Sequence, residues 1–320
     1  MINLELTTSI QEISKIPIWE FEEQVEASEP AGESNMNIVL RITTNKRSVI
    51  LKQSKPYVRK YPQIKAPINR ISVENAFYKA VNQNQILKNF SPKVLAFLPD
   101  EHLLVTEDLG KGSDFSEIYA GQRVLKKQEV QNLCDYLNAL HELEVKSFPT
   151  NNTMKILNHE HIFWFPFLEV NGFDLDSIQH GLQDLSLKYK KNLALKKKID
   201  QLGKQYLSQG DTLLHGDFYP GSWLKMGNEI KIIDPEFGFL GDPEFDLGVL
   251  FAHFELGQQS EELKSEFLQS YIQPLSPKLL DQYQGVEILR RLIGIAQLPL
   301  NLTLEQKEKL MNRAVELILE

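Results

Sequence analysis

Residues 213–242 read LLHGDFYPGSWLKMGNEIKIIDPEFGFLGD. Two apolar pairs, Leu213-Leu214 and Ile232-Ile233, each run into an acid: Asp217 comes three residues after the first, and Asp234 directly after the second. Short apolar runs of this kind read as buried strands, and Gly227-Asn228 between them reads as a hairpin turn. Two carboxylates at the ends of adjacent strands, 17 positions apart, would face one cleft. One could orient a hydroxyl and accept its proton; the other could hold Mg²⁺, which prefers oxygen ligands. Taken singly, either acid reads as a solvated loop aspartate, so the argument rests on their combination.

The rest of the chain bounds the reading. Its 320 residues suffice for two lobes and a real core, and 42% apolar with 24% charged residues is a globular composition. The net charge of −8 argues against a nucleic-acid footprint, which needs a basic face. A local cationic pocket for an anionic small molecule remains compatible with it. A single cysteine, Cys134, allows no internal disulfide, and beside Leu133 and Leu137 it reads as a core filler. No apolar run approaches the roughly 18–20 residues that span a bilayer, and MINLELTTSIQEI lacks a basic start followed by an apolar stretch. The expectation is a soluble, cytoplasmic protein with no membrane and no nucleic-acid partner.

NIVLRITT and SVILKQS are β-rich runs around a turn at Asn45-Lys46-Arg47, and SPKVLAFLP and HLLVTED read as two further strands. A helix is expected between the two pairs from about Val73, with Ala76, Phe77 and Ala80 on one face. After residue 112 the pattern turns helical, with Val130, Leu133, Leu137 and Leu140 at helical spacing, then Leu185, Tyr189, Ile199, Leu202 and Tyr206. LNHEHIFWFPFLEVNGFDLD reads as irregular, the lysines 196–198 as a solvated helix face, and the end from about Leu304 as an amphipathic helix. The plan is α+β and bilobal: a small antiparallel sheet over residues 1–107, then a larger, mostly helical lobe over 108–320 with a two-strand insert at 213–242.

His215-Gly216-Asp217, Ser222, Ile232-Ile233-Asp234, Gly241-Asp242 and Asp246 together resemble the motif of the aminoglycoside phosphotransferase and choline kinase families, which share the protein-kinase-like fold. The resemblance implies Asp217 as catalytic base and Asp234 as Mg²⁺ ligand, with His215 packed beneath the loop. The family's residue five after the base is usually a metal-binding Asn; here it is Ser222, and Glu236 in Asp-Pro-Glu is positioned to supply the missing oxygen. HGD-x-x-x-GS with DPEF is similar to the 5-methylthioribose kinases of this superfamily.

Three other segments resemble the same group. PAGESNMNIVLRI, with Gly32, Ser34, Asn35 and Asn37, is similar to its phosphate-covering loop, although Glu33 and Ser34 replace two of that loop's residues. By itself this stretch reads as a polar turn. Lys52 ends an apolar run and can reach nucleotide phosphates as a point charge, and Glu74, 22 residues later on the expected helix, can hold it. Taken alone, the pair reads as an exposed lysine and a solvated glutamate; KQSKPYVR with Arg70 before Glu74 carries the resemblance. In LVTEDL, Glu107 to Leu109 would then meet adenine through backbone groups. Finally, Arg290-Arg291 lie in the apolar run GVEILRRLIGIAQLP. They read either as ion-pair partners of nearby acids or as guanidinium groups that hold a polyhydroxylated acceptor. The resemblance implies the second, with Ala296-Gln297 departing from the Ala-His of those kinases.

The leading expectation is an ATP- and Mg²⁺-dependent kinase that phosphorylates a hydroxyl of 5-methylthioribose or a related sugar, as a homodimer by resemblance. The alternatives are another acceptor (an aminoglycoside, choline, homoserine or fructosamine) or a nucleotide-binding pseudokinase.

Overall fold

The computed structural model describes residues 2–32 and 34–320; Glu33, read above as part of the phosphate-covering loop, lies outside them. After a short helix α1 (Ile10–Ile13), strands β1 (Val25–Pro30), β2 (Asn37–Thr44) and β3 (Ser48–Ser54) follow. Next come a small hairpin, β4 (Tyr57–Val58) with β5 (Tyr61–Lys65), helix α2 (Arg70–Val81), and strands β6 (Val94–Leu98) and β7 (Leu103–Glu107). Five of the strands form one antiparallel sheet in the order β1-β2-β3-β7-β6. Strand side chains alternate between faces. Ile38, Leu40, Ile42, Val49 and Leu51 are buried against Leu4, Ile13 and Ile16 of the amino-terminal segment. Val39, Arg41, Ile50 and Lys52 point to the opposite face and line a cavity. The apolar lining of one face therefore leaves the other free for a ligand. The amino-terminal cover has no strong periodicity and was not apparent in the sequence.

The larger part is helical: α3 (Lys127–His141), α4 (Asn152–His159), α5 (Leu182–Lys190), α6 (Leu193–Leu207), α7 (Glu244–Leu256), α8 (Glu261–Ser270), α9 (Pro277–Ile293) and α10 (Leu304–Leu319). Together with the five-stranded sheet this is the α+β, two-lobed plan expected. Helix α7 is buried on nearly every side and packs along α9. Gly248 permits the approach, since a Cβ there would lie 2.6 Å from Cβ of Tyr283. Cys134 is fully buried and Trp223 packs between Phe115 and Phe218, both as core residues. Among the described residues no helix is long and apolar enough to cross a membrane.

Two expectations are corrected. The aromatic stretch is irregular only from residue 168 to 174: before that, α4 runs on into a π-helical turn (Glu160–Trp164) and a 3₁₀ turn (Phe165–Phe167). The changing pitch brings Ile162, Phe163 and Phe167 into one buried cluster, a pattern that a constant 3.6-residue period conceals. Second, the strands of the 213–242 segment pair differently. β9 (Trp223–Met226) and β10 (Glu229–Ile232) do form a hairpin around Gly227-Asn228. However, Leu213-Leu214 belong to β8 (Thr212–Leu214), which pairs with β11 (Phe239–Gly241). Asp217 and Asp234 thus leave two different two-stranded ribbons rather than adjacent strands.

The join between those ribbons is tight. Gly216 takes φ +81°, and a Cβ there would lie 2.2 Å from the carbonyl oxygen of Phe237. Gly216→Ala should therefore lower stability by about 3 kcal/mol, from left-handed strain plus displacement of the Phe237 backbone, measured as a lower urea midpoint at unchanged slope.

Candidate active site

The segment after β8 is held from below by Asp246, a fully buried residue in the first turn of α7. Its carboxylate accepts the backbone N–H groups of His215 at 2.7 Å and Gly216 at 2.9 Å. His215 is also fully buried, and burial pushes its imidazole below the ordinary value, so the ring is neutral. Nε2 lies 3.0 Å from the carbonyl of Ile233 and must be its donor, while Nδ1 faces the N–H of Asp217 at 3.4 Å. The histidine packed beneath the loop therefore ties Asp217 to the residue before Asp234, which is how two separate ribbons bring both acids to one place. Ser222 is turned into its own loop: its hydroxyl reaches the carbonyls of Tyr219 at 2.8 Å and Asp217 at 3.2 Å. In this arrangement Ser222 shapes the loop, and ligating a metal would require it to leave those carbonyls.

Asp217 faces both arginines of α9. Each guanidinium places a terminal nitrogen 3.6 Å from Asp217 Oδ1, within Coulombic range but too far for a hydrogen bond. The arginines are held elsewhere. Glu287, on the same helix three and four residues earlier, accepts Nε–H from Arg290 and, at 2.7 Å, from Arg291. The guanidinium of Arg291 also lies 5.1 Å over the ring of Tyr219. The ion-pair reading of the arginines is met by a helical acid, and their outer nitrogens still face the cleft. Glu287 went unrecognised in the sequence, although its spacing of three and four residues from the arginines is that of side chains on one helix face. Burial raises the Asp217 carboxyl above its ordinary value, with Arg291 and then Arg290 pulling against it.

Lys52 on β3 reaches into the cleft beside Glu74 of α2 at 2.9 Å and Asp234 at 2.6 Å. Burial alone would lower this ammonium, but Asp234, Glu74 and Glu236 outweigh it and keep it charged. Burial pushes the Glu74 carboxyl up to about 7, against the pull of Lys52. Asp234 adopts the left-handed region at φ +63° and its side chain is half exposed. Glu236, in the 3₁₀ turn that follows, is 4% exposed. One of its oxygens is taken by Arg70 Nε and Asn37 Nδ2, each at 3.0 Å. Arg70 is itself fully buried and spends its other nitrogens on the carbonyls of Met36, Lys55 and Pro67. Asn37 consequently faces inward, bridging Arg70 and Glu236 rather than the loop opening.

The remaining expected residues border three connected cavities. The first, of about 100 Å³, lies under the sheet against Lys52, Glu74, Glu107, Asp108, Leu109 and Asp234. Asp108, overlooked in the sequence, fixes this wall. It takes a bidentate pair from Arg41 and the Ser48 hydroxyl at 2.6 Å, which hold its carboxyl below the ordinary value despite burial. A central cavity of about 390 Å³ is bordered by Ser34, Asn35, Asp217, Ser222, Asp234 and Glu236. A third, of about 270 Å³, is bordered by Asn35, Lys60, His161, Asp217, Arg290 and Arg291. Gly32 takes φ +96°, which suits a tight turn. Ser34 and Asn35 are steadied by the β4–β5 hairpin, through Arg59 on the Ser34 carbonyl and the Lys60 N–H on that of Asn35.

A family model described as "Phosphotransferase enzyme family" matches residues 29–283. The chain belongs to that family. Among relatives of this phosphotransferase, a methylthioribose kinase of Exiguobacterium sibiricum is 26% identical over 249 residues, covering 71% of this chain and 60% of that one. The chain spans about 60% of the length of the first curated relatives it matches. Solved structures with the same fold include a choline kinase of Cryptosporidium parvum (14% identical, TM-score 0.55, 92% and 88% of the two chains). Another is the choline kinase LicA of Streptococcus pneumoniae (16% identical, TM-score 0.51, 92% and 93%).

The Arg70–Glu236 pair tests how the buried Glu236 carboxylate is supported. Arg70→Met should destabilise the phosphotransferase by about 3–5 kcal/mol, because it strands a buried carboxylate. Replacing both, Arg70→Met with Glu236→Leu, should recover most of that loss in the same urea titration.

Proposed function

We propose that this phosphotransferase is a small-molecule kinase that moves the γ-phosphoryl group of ATP to a hydroxyl of 5-methylthioribose or a closely related sugar. One observation carries the reading: three cavities run in series, with Asp234 shared by the first and second and Asp217 shared by the second and third. A nucleotide laid from the sheet cavity places its phosphates past Lys52 and Asp234 and its terminal phosphoryl group towards Asp217. The acceptor enters from the opposite side, between Asp217 and the arginines. A solved relative in fold, LicA, is described in complex with AMP.

The donor set fits Mg²⁺. Asp234 and Glu236 border the same cavity two residues apart, and Asp234 is open to solvent. Among the described residues no group of three or more His, Cys, Asp or Glu is arranged for a metal. Two carboxylates, with phosphate oxygens and water completing the shell, is the pattern Mg²⁺ favours. Asp234 and Glu236 would hold the ion, which when bound neutralises charge on the phosphates. The protein's own residues do the rest. Lys52 steadies the phosphates, with Glu74 fixing its direction. Asp217, not hydrogen-bonded to either arginine, keeps an oxygen for the acceptor hydroxyl, orients it and takes its proton. Arg290 and Arg291 bind acceptor oxygens and offset charge on the transferred group.

The third cavity favours an uncharged acceptor over choline or an aminoglycoside. Among the described charged residues around it, Lys60, Arg290 and Arg291 are cationic and Asp217 is the one acid. A cationic acceptor would meet repulsion there.

Asp217→Asn should lower kcat about 10³-fold on methylthioribose with ATP and Mg²⁺; full activity in that variant would remove the mechanism, and turnover of a different hydroxyl compound alone would replace the acceptor. The pH dependence follows from the raised Asp217 carboxyl. The base acts ionised, so kcat/KM should fall as pH drops through a value above the ordinary carboxylate range. Arg291→Met removes the largest opposing charge and should move that acid limb further up.

A further inference from the structure

Behind the acceptor site lies a fully buried chain of polar groups whose direction can be worked out. His253, on α7, is 0% exposed. Its Nε2 lies 3.1 Å from Glu287 Oε1, and its Nδ1 lies 2.6 Å from the hydroxyl of Tyr119, in the 3₁₀ stretch Ser116–Ala120. Burial drives the imidazole down to about 4, with Arg291 and Arg290 adding to the fall and Glu287 opposing it, so the ring carries one N–H at neutral pH. The Glu287 carboxyl is held well below its ordinary value by Arg290, Arg291 and His253, despite its burial, and can only accept. The single imidazole proton must therefore sit on Nε2. Nδ1 is then an acceptor, and the Tyr119 hydroxyl, raised by burial and so un-ionised, must donate to it. The other groups facing the histidine are the ring of Tyr219, 5.5 Å away, and the two arginines beyond Glu287.

The chain thus runs from Tyr119 O–H to His253, from His253 N–H to Glu287, and from Glu287 to the Nε–H groups of both arginines. Their outer nitrogens then stand 3.6 Å from Asp217. Every link but the last is a hydrogen bond shielded from water. We propose that Tyr119 and His253 are positioning residues for the acceptor site: the Tyr119 hydroxyl, by donating to Nδ1, steadies the His253 ring in the orientation and tautomer that donate to Glu287, and Glu287 in turn holds Arg290 and Arg291 towards Asp217. Neither residue touches the reacting atoms. Removing the Tyr119 hydroxyl leaves Nδ1 buried without a donor, and the ring is free to turn away from Glu287. Glutamine at position 253 can still offer an N–H to Glu287, whereas leucine cannot.

The proposal rests on the acceptor reading only in its kinetic arm, so the first measurement needs no acceptor. Hydrogen exchange of the arginine Nε–H groups is followed by NMR in the full-length protein labelled with ¹⁵N-arginine, the two signals being assigned with Arg290→Lys and Arg291→Lys. Both signals should be protected in the unmodified protein and in His253→Gln. They should exchange at least about tenfold faster in Tyr119→Phe and in His253→Leu. Tyr119→Phe placed in the His253→Gln background should add less than about twofold, because the two residues act through one path. Equal exchange in all of these proteins overturns the proposal, as does an additive double variant. If His253→Leu fails to fold, Tyr119→Phe, which removes a single oxygen atom, decides the matter alone. In the kinetic arm, Tyr119→Phe should raise KM for methylthioribose about tenfold and leave KM for ATP unchanged. A purely structural role would move both constants or neither. If the unmodified protein does not turn over methylthioribose, the acceptor reading falls and the exchange measurement still decides the positioning.

Discussion

The site depends on the two backbone N–H groups that Asp246 accepts in the dark of the helical core. Through them the first turn of α7 holds His215 and Gly216 in place, and each of these passes the constraint on. His215 reaches the Ile233 carbonyl and so sets where Asp234 emerges. Gly216 packs against Phe237 and so sets the turn that carries Glu236. A buried carboxylate without such donors would cost several kcal/mol or be protonated. With them it is an anchor, and the positions of Asp217, Asp234 and Glu236 follow from it.

The same logic recurs around the cleft. Charged groups that face the cavities are held by polar neighbours, some of them buried behind the cleft. Arg70 and Asn37 hold one oxygen of Glu236, Glu74 holds Lys52, Glu287 holds the two arginines, and Arg41 holds Asp108 in the wall of the first cavity. Arg70, Asn37, Glu74 and Glu287 are more buried than the groups they hold, so their interactions are little screened by solvent. The groups facing the cleft keep unspent valences: an outer guanidinium nitrogen, the half-exposed Asp234 carboxylate, and the Asp217 carboxylate at 3.6 Å from the arginines rather than bonded to them. This division lets a charged site be rigid before any ligand arrives, which is the condition for electrostatic catalysis without reorganisation.

Much of this was legible in the chain. The strand pair around Asn45-Lys46-Arg47, the helix carrying Glu74 and the Gly227-Asn228 hairpin follow from local patterns and spacing, whereas the grouping of Lys52, Glu74, Asp217, Asp234 and the arginines came from a resemblance of whole motifs. The first three rest on short-range rules: alternation, helical period and turn chemistry act over a few residues, and a single sequence displays them. The supporting residues were much less visible. Asp108, Glu287, Tyr119 and His253 look like ordinary residues in their local windows, and Asn37 and Ser222 read as ligand-facing although they point into the protein.

What the sequence determined by itself was therefore the set of elements and the chemistry available at their ends: two acids, a lysine with its glutamate, and an arginine pair on an apolar helix. The tertiary structure alone decided which strand pairs with which, and thus that Asp217 and Asp234 meet through His215 rather than across a shared ribbon. It also decided the partner of every buried charge. The physical reason is the same in both cases. Strand partners and buried ion pairs are chosen by burial between segments distant in sequence, from Arg70 with Glu236 to Tyr119 with His253, and no local pattern records that choice.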